Sequence, residues 1–282
     1  MTHPQTRQDW ERLLSTLRFR PSKAMGQNFL VETSVVQRIL ETAMITDEDV
    51  VLEIGPGLGI LTGALVARAA RVVAVELDAD LASYLRRVYR EEPRLSVVER
   101  DARHLQPEQL GLTTGYKVVA NLPYSTATVI LRHVLERVPR PATLTVMVQR
   151  EVAERMVAQP PHMSLLSIAT QLSSVPRIAF LVEPNAFSPP PRVESAVVQM
   201  VPVAEPTLDA RTRETLFRLA TLAFQAKRKT LSNSLANGLK LPKESVHAEL
   251  ERYKIDGMRR PQTLSVAEWR HLAQSSLGSP TR

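Results

Sequence analysis

Cysteine is absent from the 282 residues. That excludes disulfides, zinc–thiolate sites and thiol catalysis, and it fits a reducing compartment. Long apolar runs are missing too, with none approaching the ~20 residues a membrane-crossing helix needs. Residues 1–20 are polar and carry Asp9 and Glu11, unlike a secretory signal. There is no internal repeat and no low-complexity tract. A cytoplasmic protein with no membrane partner is therefore expected. What remains is a chain of ordinary globular composition, 44% hydrophobic and 23% charged, long enough for one large domain and a small one.

Charge is unevenly placed. Lys and Arg total 36 against 29 Asp and Glu, a net +7. Residues 1–205 balance at 22 and 22, so the excess lies in residues 206–282, with 14 basic against 7 acidic. A basic module beside a neutral body points to a polyanionic partner.

Along the body, short apolar strands alternate with helical patterns. Strands are expected at Val50–Ile54, Arg71–Glu76, Leu95–Glu99, 118–121 and 144–149, with helices near 60–68, 79–90 and 126–138. Continuous apolar strands separated by helices imply a parallel sheet covered on both faces. Residues 192–201 read as a further strand, at an edge or as an antiparallel return, and 34–42 as a helix on the sheet edge. After Pro202 the pattern becomes short helices at 211–225, 228–239, 243–253 and 265–275. A boundary near 205 follows: 1–205 for the sheet domain, of which 1–48 is an N-terminal extension, and 206–282 for a basic helical domain.

Ligands of open parallel sheets bind beyond the carboxyl ends of the strands. Those ends carry Gly55-Pro-Gly-Leu-Gly59, Glu76, Asp101 and Asn121. Glycine lets the backbone approach a ligand with no Cβ in the way, and a carboxylate ~20 residues later can accept both ribose hydroxyl hydrogens. A dinucleotide fingerprint would be G-x-G-x-x-G, but Ile60 stands where the third glycine belongs. The acidic Glu53 ahead of Gly55 fits a cofactor with a cationic sulfonium and no pyrophosphate. The second loop, Asn121-Leu-Pro-Tyr124, offers an amide oxygen and backbone carbonyls to an exocyclic amine, and an aromatic face for stacking. Pro123 fixes the turn and has no competing N–H. Together the two loops point to a methyl donor facing an adenine or a similar acceptor.

These stretches, with Gly26-Gln-Asn-Phe-Leu30, Met147-Val-Gln-Arg-Glu-Val-Ala-Glu-Arg155, Phe187-Ser-Pro-Pro-Pro-Arg-Val-Glu-Ser195 and Lys227-Arg-Lys-Thr-Leu231, resemble the KsgA/RsmA-type 16S ribosomal RNA adenine N6,N6-dimethyltransferase family. The resemblance implies a Rossmann-like class I methyltransferase sheet, mostly parallel with one antiparallel strand, and a small C-terminal all-α domain. It implies dimethylation of two adjacent adenosines of small-subunit RNA by S-adenosylmethionine, without metal, by a monomer with a role in small-subunit biogenesis. By the same resemblance Asn28, Leu30, Gly55, Glu76, Asp101 and Asn121 contact the donor. Asn121, Leu122, Pro123, Tyr124 and Phe187 form the acceptor site, Tyr124 and Phe187 sandwiching the base. Lys227, Arg228, Lys229, Arg259 and Arg260 hold RNA phosphates.

Three stretches depart from the family pattern: Arg100-Asp-Ala-Arg103 for Gly-Asp-Ala-Leu, Ser125-Thr-Ala-Thr128 for Asn-Ile-Ser-Thr, and Met163-Ser-Leu-Leu-Ser167 for Tyr-Gly-x-Leu-Ser. The alternatives are a large-subunit RNA methyltransferase of resistance type and a non-catalytic assembly factor. Leu58 and Leu122 favour the small-subunit reading, because the resistance enzymes more often carry Lys and Ile there.

Overall fold

The apolar runs pair as their chemistry requires. Strands rich in Val, Leu and Ile bury both faces only when helices cover both sides. The structure, a computed structural model, describes residues 4, 6–16, 28–123, 126–203, 208–226 and 228–278. In chain order the elements are α1 (Arg7–Thr16), β1 (Phe29–Leu30), α2 (Thr33–Ala43), β2 (Val50–Ile54), α3 (Ile60–Val66), β3 (Arg71–Glu76), α4 (Ala79–Val88) and β4 (Leu95–Glu99). They continue with β5 (Lys117–Asn121), α5 (Ala127–Glu136), β6 (Thr143–Gln149), α6 (Arg150–Val157), α7 (Leu165–Ser173), β7 (Ser174–Val182), β8 (Phe187–Ser188) and β9 (Ser195–Pro202). Four helices close the series: α8 (Ala210–Phe224), α9 (Leu231–Leu239), α10 (Lys243–Arg252) and α11 (Val266–Leu272).

Seven strands form one sheet in the order β4-β3-β2-β5-β6-β9-β7. β2 to β6 pair in parallel, whereas β9 is antiparallel to both β6 and β7, so one strand alone runs against the rest. The edge position expected as one option for 192–201 belongs instead to β7. β9 lies one strand inside the edge, buried from Ser195 to Met200. Helix α2 also departs from expectation. Its Val36, Ile39 and Leu40 pack in the same cluster as Val51, Val119, Met147 and Val197, so it covers the middle of a face and not the edge.

From β2 the chain winds outward through β3 and β4, then returns to place β5 on the other side of β2. The order reverses between β2 and β5, the place where open α/β sheets hold ligands. Register sets Ile54 beside Ala120, so the glycine loop and Asn121 leave the sheet side by side.

Two compact units divide the chain: Met1–Ala153 with Ser174–Pro202, and Glu154–Ser173 with Val203–Arg282. The second is discontinuous in sequence, because Ile168 and Leu172 of α7 join Leu216, Leu235 and Trp269 in one core. Gly238 allows α9 to approach α8, since a Cβ there would stand 2.8 Å from the Leu222 Cβ. Trp269 packs against Phe224 with ring centroids 6.0 Å apart. Among the described residues no helix is long and apolar enough to cross a membrane.

Candidate active site

The glycine loop folds back over β3 and β5 because its glycines adopt a backbone that other residues resist. Gly55, Gly57 and Gly59 have φ of +70°, +58° and +89°. The Gly55 N–H donates to the Val75 carbonyl at 2.9 Å. A Cβ on Gly55 would lie 3.3 Å from the Asn121 carbonyl oxygen, and one on Gly57 3.2 Å from the Phe29 ring. These glycines therefore permit the donor-side and acceptor-side loops to touch.

Glu76, at the end of β3, ties the turn together. One carboxylate oxygen accepts from the Leu77 and Asp78 amides at 2.8 and 3.0 Å, the other from Gly57 at 3.0 Å. Burial pushes this carboxyl up from its ordinary value, while the three backbone N–H groups oppose the shift. Asp78 then caps α4 by accepting from Asp80 and Leu81.

Asn28, Leu30, Gly55, Glu76, Asp101 and Asn121 all line one cavity of about 300 Å³ within the sheet unit. Leu122 and Pro123 line it too. Ile54, Leu77, Leu81, Ala102 and Ile130 add apolar walls. Two acceptor-site residues remain. Tyr124 lies outside the described residues. Phe187 is 1% exposed and does not line the cavity. Its β8 pairs with β1, setting Phe187 opposite Leu30, and its ring packs in the core beneath α2.

Two lining residues lie in the sequence motifs but were not assigned as contacts. Gly57 is the cradle's closest approach to Phe29, and Arg103 forks onto Asp101 with contacts of 2.6 to 3.0 Å. That guanidinium holds Asp101 below the usual carboxylate range. Only the departure at Arg103 marked the position as unusual. Glu53 corrects an expectation. It is fully buried, does not line the cavity, and neither oxygen has a hydrogen-bond partner among the described residues.

The cavity suits S-adenosylmethionine. Its glycine cradle, which a Cβ would fill, and the carboxylates of Glu76 and Asp101 beyond successive strands fit the chemistry of that donor. No group of His, Cys, Asp and Glu able to hold a metal occurs among the described residues. In the helical unit Arg228, Lys229 and Arg260 are exposed. Lys227 lies outside the described residues. Arg259 is instead committed internally, its guanidinium paired with Glu268 and with Thr263.

Over residues 18–276 the chain matches the family described as ribosomal RNA adenine dimethylase. It is 41% identical over 258 residues to ribosomal RNA small subunit methyltransferase A of Dehalococcoides mccartyi, covering 91% of this chain and 88% of that one. The protein of the same name from Clostridium perfringens is 39% identical over 266 residues, with 93% of each chain covered. Among solved structures, the 23S rRNA methyltransferase ErmE superposes with a TM-score of 0.68 at 29% identity, over 88% of this chain and 98% of that chain. A match that runs through both units, with the donor-side and acceptor-side loops in contact at the switch point, makes the chain a member of the ribosomal RNA adenine dimethylase family.

Proposed function

We propose that this enzyme transfers methyl groups from S-adenosylmethionine to the N6 amines of two adjacent adenosines in 16S ribosomal RNA, giving N6,N6-dimethyladenosine during small-subunit biogenesis. One observation carries the reading: Gly55 and Asn121 stand together at the switch point, a Cβ on the one falling 3.3 Å from the carbonyl oxygen of the other. When bound, the donor supplies an electrophilic sulfonium methyl. The protein's part is positioning. The Asn121 side-chain oxygen and a backbone carbonyl of the Leu122–Pro123 turn accept the two amine hydrogens. That pairing draws the nitrogen lone pair out of the ring and toward the methyl group. Pro123 leaves no N–H to compete, and Tyr124 offers its ring to a base displaced from its stack. Glu76 holds the ribose, and Asp101 marks the adenine end.

Arg228, Lys229 and Arg260, with Lys227, hold phosphates and set orientation. The small-subunit substrate is supported by 41% identity to a relative named for that activity, against 29% to the large-subunit enzyme. Replacing Asn121 by Ala is expected to abolish methylation while RNA affinity stays nearly intact. An active Asn121→Ala enzyme removes the assignment. Labelled methyl transfer into under-methylated small subunits, with none into large subunits, tests the substrate.

A further inference from the structure

Asp101 is already engaged on both oxygens by its own neighbour. Its Oδ1 accepts the Arg103 backbone N–H at 2.9 Å and Nε at 3.0 Å. Its Oδ2 accepts Nε at 3.0 Å and Nη2 at 2.6 Å. A carboxylate offers about four acceptor positions, and three N–H groups of this one residue already occupy it, the single Nε–H being shared between both oxygens. Both residues line the cavity, and the Asp101 side chain is 23% exposed, within a ligand's reach. The backbone N–H is fixed at the start of the 3₁₀ turn at Ala102–His104, so only the guanidinium contacts can be exchanged. Arg103 is itself 46% exposed, and among the described residues Asp101 is the acceptor that holds it.

We propose that Arg103 is a specificity-determining residue of the donor site, competing with the adenine amine for Asp101 and lending the base end a hydrogen-bond donor of its own. The proposal rests on the reading that this cavity holds the adenosyl group with its base at Asp101. An incoming amine must displace a guanidinium N–H or share an already neutralised carboxylate with it, so it gains less than it would from a bare carboxylate. A purine with a carbonyl at position 6 would be repelled by a bare carboxylate. Here it meets the guanidinium, which donates to it. Arg103 therefore lowers affinity for the adenosyl ligand and narrows discrimination against its 6-oxo counterpart.

Calorimetric titration of the full-length protein with S-adenosylhomocysteine and S-inosylhomocysteine tests this without turnover. Because partly exposed ion pairs are weak, Arg103→Leu is expected to bind the adenosyl ligand about two- to fivefold tighter at low salt. The adenosyl-over-inosyl preference should widen at least as much. The gain should shrink as salt screens the pair in the parent protein, which a purely apolar contact from Leu would not do. Arg103→Gln, which keeps a donor but loses the charge, should fall between. Unchanged or weaker adenosyl binding by Arg103→Leu with an unaltered preference overturns the proposal alone. If Asp101→Ala leaves both affinities unmoved, the donor-site reading falls and the proposal with it.

Discussion

Glu53 and Glu76 lie on adjacent strands and share a residue type, yet their surroundings divide them. Three backbone N–H groups reach Glu76. None reaches Glu53 among the described residues, and its burial pushes the carboxyl up to about 8, with the Glu76 charge adding to it. Between its ordinary value of 4.5 and about 8, the unfolded chain has released this proton while the folded chain retains it. Stability is thus fully present below the lower value and falls as pH rises to the higher one. Glu53→Gln should flatten that slope, by an amount on the order of a few kcal/mol across the window, read from urea midpoints between pH 5 and 8.5. An unchanged slope would mean that Glu53 is ionised in the fold. The neighbouring Gly57 yields a second expectation. Ala there must adopt φ of +58° and press on Phe29 at 3.2 Å. A loss of about 1–3 kcal/mol in stability and at least tenfold in donor affinity is expected by calorimetry. At this scale the residues that line the cavity were readable where residue type and strand end coincide, as at Gly55, Glu76 and Asp101. The sequence misled at Glu53, because a carboxylate two positions before a loop can face the core as easily as a ligand. Phe187 shows the same limit: whether an aromatic ring faces a ligand or the core depends on a two-residue strand pairing.

Elements with strong local patterns were legible nearly to the residue. Arg71–Glu76 and Leu95–Glu99 coincide with their expected spans, as does the core strand Val50–Ile54. β7 was missed because Pro176 and Arg177 interrupt its apolar run, and it sits at the sheet edge where such residues are tolerated. β1 and β8, of two residues each, exist only through their long-range pairing. α7 joins the helical unit through contacts that local composition cannot announce. In that unit the sequence also treated Arg259 and Arg260 alike, whereas the fold separates them. Ser265 and Glu268 form a capping box at the start of α11, and Arg259 grips the same Glu268. Arg259→Ala should therefore lower the melting temperature, through a loss of about 1–2 kcal/mol, as a partly buried charged hydrogen bond does. Arg228→Ala, Lys229→Ala and Arg260→Ala should leave melting unchanged and weaken RNA binding, each reducing the salt slope by about 0.7. Melting and filter-binding curves on the same four variants separate these outcomes. If Arg260→Ala melts the unit and Arg259→Ala does not, the division is wrong.

Across the whole molecule, charge and chemistry are held in different units. Residues 154–173 and 203–282 carry 15 Lys and Arg against 9 Asp and Glu, and the remaining residues 21 against 20. The unit with the donor-side cavity is thus almost neutral, while the helical unit holds nearly all the excess. A near-neutral site suits a cofactor whose reactive sulfur is already cationic, and a basic module suits a polyanion that must be gripped without regard to sequence. The two binding events should therefore answer salt in opposite senses. With three or four phosphate contacts, raising salt from 50 to 200 mM should weaken RNA binding roughly ten- to a hundredfold. S-adenosylhomocysteine affinity should change by less than about fivefold, and upward, because screening loosens the Arg103 grip on Asp101. Turnover at saturating RNA should then hold nearly constant while the KM for RNA climbs with salt. Were turnover to fall in step with RNA affinity, phosphate contacts would be contributing to the methyl-transfer step itself, and the separation of grip from chemistry would have to be abandoned.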